Sequence, residues 1–183
     1  MLFNGNYHLW ILLSCHLLYI QEATIHYRCG DNFESYYGFL PFIVFKTLIP
    51  ANAKLIYVLS DYRGRNTGGR SRLHLESKCD NILKSLFDYL IATFTSATIV
   101  FKRGDDVMVD MARIAFSNIS ICSVGTFCLW PAIACNGTAY YPKTKLILGG
   151  RMDLDLGFKW ISSPEIVLGE KYSWEDDKVP LFK

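Results

Sequence analysis

None of the six cysteines, at positions 15, 29, 79, 122, 128 and 135, forms a C-x-x-C pair or stands at metal-ligand spacing from one of the four histidines. That argues against a zinc site. No G-x-G-x-x-G follows the first strand-like run, so the common dinucleotide fingerprint is missing. A charge excess is missing too: 19 Lys and Arg stand against 17 Asp and Glu, a net charge of +2. No polyanion is implied as a partner, and nucleic acid is not expected. The basic residues cluster only in a Gly-rich stretch over residues 62–73, where Arg63, Arg65, Arg70 and Arg72 lack the G-x-x-x-x-G-K-[ST] order of a P-loop and read as a solvated connection. There is no apolar run long enough to span a bilayer, which takes roughly 20 residues. Residues 9–20 come nearest, and Ser14, Cys15 and His16 interrupt them. No Lys or Arg precedes that run, so it reads either as a remnant of a missing upstream region or as a weak signal sequence, and membrane association stays open. Repeats and low-complexity tracts are absent as well.

What is present describes a folded chain of about one domain, with 51% hydrophobic and 20% charged residues. Short β-branched runs alternate with longer helical patterns, as parallel βαβ units require. Strands are expected over residues 24–28, 54–60, 98–102, 119–123 and 145–148. Helices are expected over residues 39–48, 75–94, 108–116 and 126–134, the second with Ile82, Leu83, Leu86, Leu90 and Phe94 on one stripe. The fold class is therefore α/β, a doubly wound, mostly parallel sheet. Three segments follow: an apolar N-terminal piece over 1–23, the α/β domain over 24–150, and an extension over 151–183 packed back through Trp160 and Trp174. Asn118-Ile119-Ser120 and Asn136-Gly137-Thr138 are N-glycosylation triplets and fit a lumenal chain, although cytoplasmic chains carry such triplets by chance. Asn118 abuts an expected buried strand, which leaves Asn136 the better acceptor.

In such a sheet the carboxyl ends of the strands carry the ligand. His26 and Arg28 end the first strand on one face, with Ile25 and Tyr27 on the other, and Gly30 and Asp31 turn the chain. Ser60 and Asp61 end the second strand. Ser123 leads through Val124, Gly125 and Thr126 toward a helix start, where unpaired N–H groups, a dipole and the Thr126 hydroxyl suit a pyrophosphate. Read singly, Ser123 and Thr126 are ordinary caps and Asp61 an ordinary turn residue; together they converge on one edge.

His26-Tyr27-Arg28-Cys29-Gly30-Asp31 resembles the H-x-R-x-[GT]-D motif of the α1,2- and α1,6-fucosyltransferase superfamily. Val58-Leu59-Ser60-Asp61 is similar to the strand that ends there in Ser/Thr-Asp-Asp, with Tyr62 in place of the second Asp. Asp110, followed sixteen residues on by Thr126 and then Phe127, is similar to a third block of that superfamily. The resemblance spans about residues 24–150 and implies the C-terminal, donor-binding half of a GT-B glycosyltransferase with a Rossmann-like fold. It implies GDP-fucose as donor substrate, a glycan or other hydroxyl as acceptor, no metal cofactor, and residence in the secretory pathway, in the Golgi lumen.

By the same resemblance, Arg28 binds the β-phosphate of the donor, His26 and Asp110 recognise guanine, and Thr126 contacts the phosphates. Asp31, Asp61, Ser123 and Phe127 complete the expected substrate-binding set, and Arg28 is the expected catalytic residue. The chemistry is consistent with this. A guanidinium stays charged and forks onto phosphate, and a carboxylate accepting from guanine N1–H and its 2-amino group selects guanine over adenine. Gly125 stands where the superfamily often has Ser. Asp31, Glu34 and Asp61 are the candidates for general base, and Asp153-Leu154-Asp155 spells a D-x-D triplet outside the matching region. A GT-B enzyme has two Rossmann-like domains and this length accommodates one, so the expected alternative is a catalytically silent nucleotide-sugar-binding module.

Overall fold

The computed structural model describes residues 21–29, 38–60, 71–143, 159–161 and 167–168. The apolar run over 9–20, Asp31, Glu34, Asp61, the strand expected over 145–148, Asp153, Asp155 and Trp174 lie outside the described residues.

The strands are β1 (Glu22–His26), β2 (Gly38–Phe39), β3 (Leu55–Ser60), β4 (Thr98–Arg103), β5 (Ile119–Cys122), β6 (Thr138–Pro142), β7 (Lys159–Ile161) and β8 (Val167–Leu168). The helices are α1 (Phe42–Leu48), α2 (Ser71–Thr93), α3 (Val107–Phe116) and α4 (Leu129–Ile133). Six strands form one sheet in the order β4-β3-β1-β5-β6-β7, and every registered pair in it is parallel. β2 and β8 form a separate antiparallel pair. Numbered along the chain, the large sheet runs 3-2-1-4-5-6, the doubly wound order of a Rossmann-like α/β fold, whose order reverses between β1 and β5.

All five residues of β1 are buried, as a central parallel strand covered on both faces requires. Alternation then sorts its side chains. Ala23, Ile25 and Tyr27 join Val44 and Phe45 of α1 and Ile82, Leu86 and Leu90 of α2 in one apolar cluster. Tyr27 is fully buried there and meets the rings of Phe39, Phe42 and Phe45 at centroid distances of 6.0 to 6.3 Å. On the opposite face Ile114 of α3 and Leu129 and Ala132 of α4 pack with Leu59, Cys122, Ala139 and Tyr141. A polar seam also runs beneath α3: Ser117 Oγ lies 2.5 Å from Thr24 Oγ1 and donates to the Arg113 carbonyl at 2.7 Å. Burial pushes the Glu22 carboxyl above its ordinary range, opposed by Ser117 and Arg113.

Proline sets the limits that pattern alone misses. Pro41 stands before α1 as its N-cap with ψ near 143°, and Leu40 precedes it outside the helix, so the helix begins at Phe42 and not at residue 39. In the fourth helix, expected over 126–134, Pro131 would fall in the interior of any helix that began at Thr126, with no N–H to donate; α4 therefore begins at Leu129. α2 is longer than expected and opens at Ser71, and β1 opens at Glu22, two residues before the expected strand. The fifth strand of the large sheet is β6, just after the Asn136-Gly137 bend. Within the 151–183 extension, β7 continues the sheet beyond β6; the side chain of its Trp160 is outside the described set.

Cys29, just past β1, is joined to Cys79 of α2 across 50 residues of chain. Closing a loop of that size restricts the unfolded ensemble by about 4 kcal/mol in the chain-entropy account. Replacing Cys29 and Cys79 together by Ala is expected to lower unfolding free energy by an amount of that order in a urea titration. A midpoint and slope equal to the parent's would show that the link carries no stability.

Candidate functional site at the β1–β5 switch

Where the strand order reverses, the chain segments leaving β1 and β5 lie side by side. The Ser123 N–H donates to the His26 carbonyl at 2.9 Å, which carries the parallel ladder one residue past β5. The Arg28 N–H then donates to Ser123 Oγ at 2.7 Å. Ser123 is buried and accepts a backbone N–H from the neighbouring segment, so it is a tie between two segments and not the cap of a helix. The Ser123 hydroxyl also lies 3.4 Å from His26 Nδ1, so the two side chains share a hydrogen bond.

Residues 124–128 form a bend and turn between Ser123 and α4. Gly125 has φ of 150°, a conformation L side chains rarely adopt, and a Cβ there would run into the Arg28 guanidinium and sit 3.0 Å from its Cδ. Two groups hold this turn in place. The Cys122–Cys128 disulfide closes its base, and the buried Tyr141 hydroxyl of β6 donates to the Gly125 carbonyl. Burial keeps the Tyr141 phenol in its neutral, donating form; the nearby Arg28 charge pulls the other way. The Phe127 ring lies 5.0 Å from the His26 ring, tilted by 35°.

Burial first, and the Arg28 charge second, push the His26 pKa down to about 4. The imidazole is therefore neutral at physiological pH, and Arg28 supplies the positive charge here. Together these groups offer one guanidinium, one neutral imidazole, a Gly-containing turn and an aromatic face. That combination suits a phosphorylated ligand with a planar group.

Of the residues expected in the site, His26, Arg28, Ser123 and Phe127 meet. Thr126 is on the same turn but exposed, and it precedes α4 by three residues instead of opening it; the expected helix-end phosphate site is corrected accordingly. Ser60 lies buried at the end of β3, in step with Ile56 and Val58 and so on the face away from His26; its Oγ has no hydrogen-bond partner among the described residues. Asp110 is in the first turn of α3, where it pairs with Arg113 at 3.1 Å while Arg113 also reaches Asp105 at 3.0 Å. Asp31 and Asp61 are outside the described residues. Sequence reasoning passed over Tyr141 and the disulfide altogether. The signal for both was faint: a Tyr pair just after a Gly turn, and two cysteines six residues apart.

No protein-family model and no curated protein matches the chain. Among the described residues no helix is long and apolar enough to cross a membrane. The two disulfides are compatible with a secretory location.

Two outcomes follow from this geometry. Tyr141→Phe removes the donor to a buried carbonyl at nearly constant shape and is expected to lower stability by about 1 to 3 kcal/mol; a melting temperature equal to the parent's would mean that the bond is not formed. His26 has a folded pKa of about 4 against an ordinary 6.5, so the unfolded chain binds the extra proton. Its contribution is fully present above pH 6.5 and is lost as pH falls toward 4, by a total on the order of 3 kcal/mol. Denaturant titrations from pH 7 to pH 4 should show that decline, and His26→Gln should flatten it.

Proposed function

We propose that this chain is the donor-binding half of a fucosyltransferase-like glycosyltransferase of GT-B type, binding GDP-fucose and passing fucose to a hydroxyl of a glycan or other acceptor in the Golgi lumen. The observation that carries this reading is the meeting of Arg28 with the Gly125 turn at the point where the sheet order reverses. Cleavage of the bond between the sugar C1 and the diphosphate oxygen passes through an oxocarbenium-like state, so negative charge grows on GDP as it leaves. Arg28 neutralises that charge where it develops, and the turn holds the guanidinium in place before the reaction begins. His26, neutral, and Phe127 beside it serve the base. Thr126, exposed on the same turn, adds a hydroxyl for the phosphates. Asp110 accepts from guanine N1–H while shared with Arg113. Metal ions are not required, and Asp31, Glu34 and Asp61 remain the candidates for general base.

A second reading, a nucleotide-sugar-binding module without turnover, is favoured by Tyr62, which stands where the superfamily's strand end has its second Asp. Titration with GDP-fucose, GDP-mannose, UDP-galactose and ATP tests the shared part of both readings, with the guanine nucleotides expected to bind best. Fucose transfer by the purified chain, or its absence alongside tight GDP binding, then separates the two.

Arg28→Ala is expected to weaken GDP binding by about 1.5 to 3 kcal/mol, the range for a hydrogen bond to a charged group. Arg28→Lys should restore little, because an ammonium cannot reproduce the guanidinium fork. Equal GDP affinities for folded parent and Arg28→Ala in calorimetry would remove Arg28 from the site. Asp110→Asn should narrow the preference for GDP over ADP while leaving phosphate binding in place. An unchanged ratio in the folded variant would take Asp110 out of the base pocket.

A further inference from the structure

We propose that Asn136 is an N-glycan acceptor and that Asn118, which opens the same kind of triplet, is not. Both asparagines are exposed, and each sits in the bend just before a strand of the parallel sheet, Asn118 before β5 and Asn136 before β6. Both are therefore on the amino edge of the sheet, opposite the edge that carries Arg28 and Gly125. They are also neighbours. The Thr138 N–H donates to the Asn118 carbonyl at 2.8 Å, and a Cβ on Gly137 would run into that same carbonyl.

What separates them is the hydroxyl two residues on, which the modifying enzyme must read along with the asparagine. For Asn118 that hydroxyl belongs to Ser120, fully buried, with its Oγ donating to the Ile114 carbonyl at 2.5 Å. Ser120 lies in β5, paired to β1 on one side and β6 on the other, so its triplet is consumed as the centre of the sheet forms. The Asn136 triplet stays in an open bend. Asn136 and Gly137 are exposed, and Thr138 is only half-buried at the start of β6. This triplet can be read before and after folding. The Cys29–Cys79 and Cys122–Cys128 disulfides fit the oxidising compartment in which such transfer takes place.

In the transfer, the Asn136 side-chain nitrogen attacks the anomeric carbon of an oligosaccharide carried on a polyprenyl diphosphate. A C–N bond forms, the C–O bond to the diphosphate breaks, the lipid diphosphate leaves and the amide proton passes to a base of the transferase. Nothing in this depends on the nucleotide reading above.

The test is translation of the full chain behind a cleavable secretory leader with microsomal membranes, followed by glycosidase release in heavy-oxygen water and peptide mass analysis. One glycan is expected, with the heavy-oxygen aspartate at position 136 and unmodified asparagine at 118. Asn136→Gln and Thr138→Ala should both abolish the glycan, and Thr138→Ser should keep it. An unglycosylated product would overturn the proposal, as would label at Asn118 alone or at both positions.

Discussion

The Arg28 guanidinium lies against the bare α-carbon of Gly125, and the arrangement of the candidate site depends on that contact. An Arg at the end of a strand has about 2 kcal/mol of rotamer entropy to lose on being fixed. The neighbouring segment packs against it. Ser123 accepts the Arg28 backbone N–H, Gly125 leaves room for the side chain, and Tyr141, from the next strand over, fastens the Gly125 carbonyl. Three strands thus contribute to aiming one cation. A packed turn of this kind has few alternative arrangements.

His26 makes sense only beside that cation. Two positive groups at one buried strand end would repel, and burial adds to the cost of charging the imidazole. The ring therefore stays neutral and shares a hydrogen bond with Ser123 through Nδ1. The result is one cation and one neutral ring, and that division follows from sharing a face of the same strand.

The sheet was legible because its strands are short β-branched runs between helical stripes, and the β1, β3, β4 and β5 positions follow from that alternation. The facing of His26 and Arg28 away from Ile25 and Tyr27 is legible for the same reason, since a period of two leaves no other choice. Three things were not. Helix starts at Phe42 and Leu129 are set by Pro41 and Pro131, whose effect depends on which side of the boundary each proline falls. β6 is a five-residue strand ending in Pro142, too short and too punctuated to stand out. The link from Tyr141 to Gly125 joins residues sixteen apart, and no local pattern encodes a hydrogen bond that exists only once β5 and β6 pair.

Each disulfide is attached one residue from a group that the site uses: Cys29 follows Arg28, and Cys122 precedes Ser123. They anchor to opposite sides. Cys29 is tied to α2, against the face lined by Ile25 and Tyr27, and Cys122 is tied to the turn before α4, against the face lined by Leu59 and Tyr141. The carboxyl end of a parallel sheet is where strands give way to loops, and loops are the parts that open first. Covalent ties at the two strand ends flanking the switch restrict that opening where Arg28 and Ser123 must stay in register. The amino edge has no such tie at Asn118 or Asn136, and is held by the Thr138 to Asn118 and Asn136 to Ala115 backbone bonds instead. The two edges of this sheet therefore differ in kind: one is stapled around a cation and a turn, and the other is an open border of bends that can carry bulk without disturbing the first.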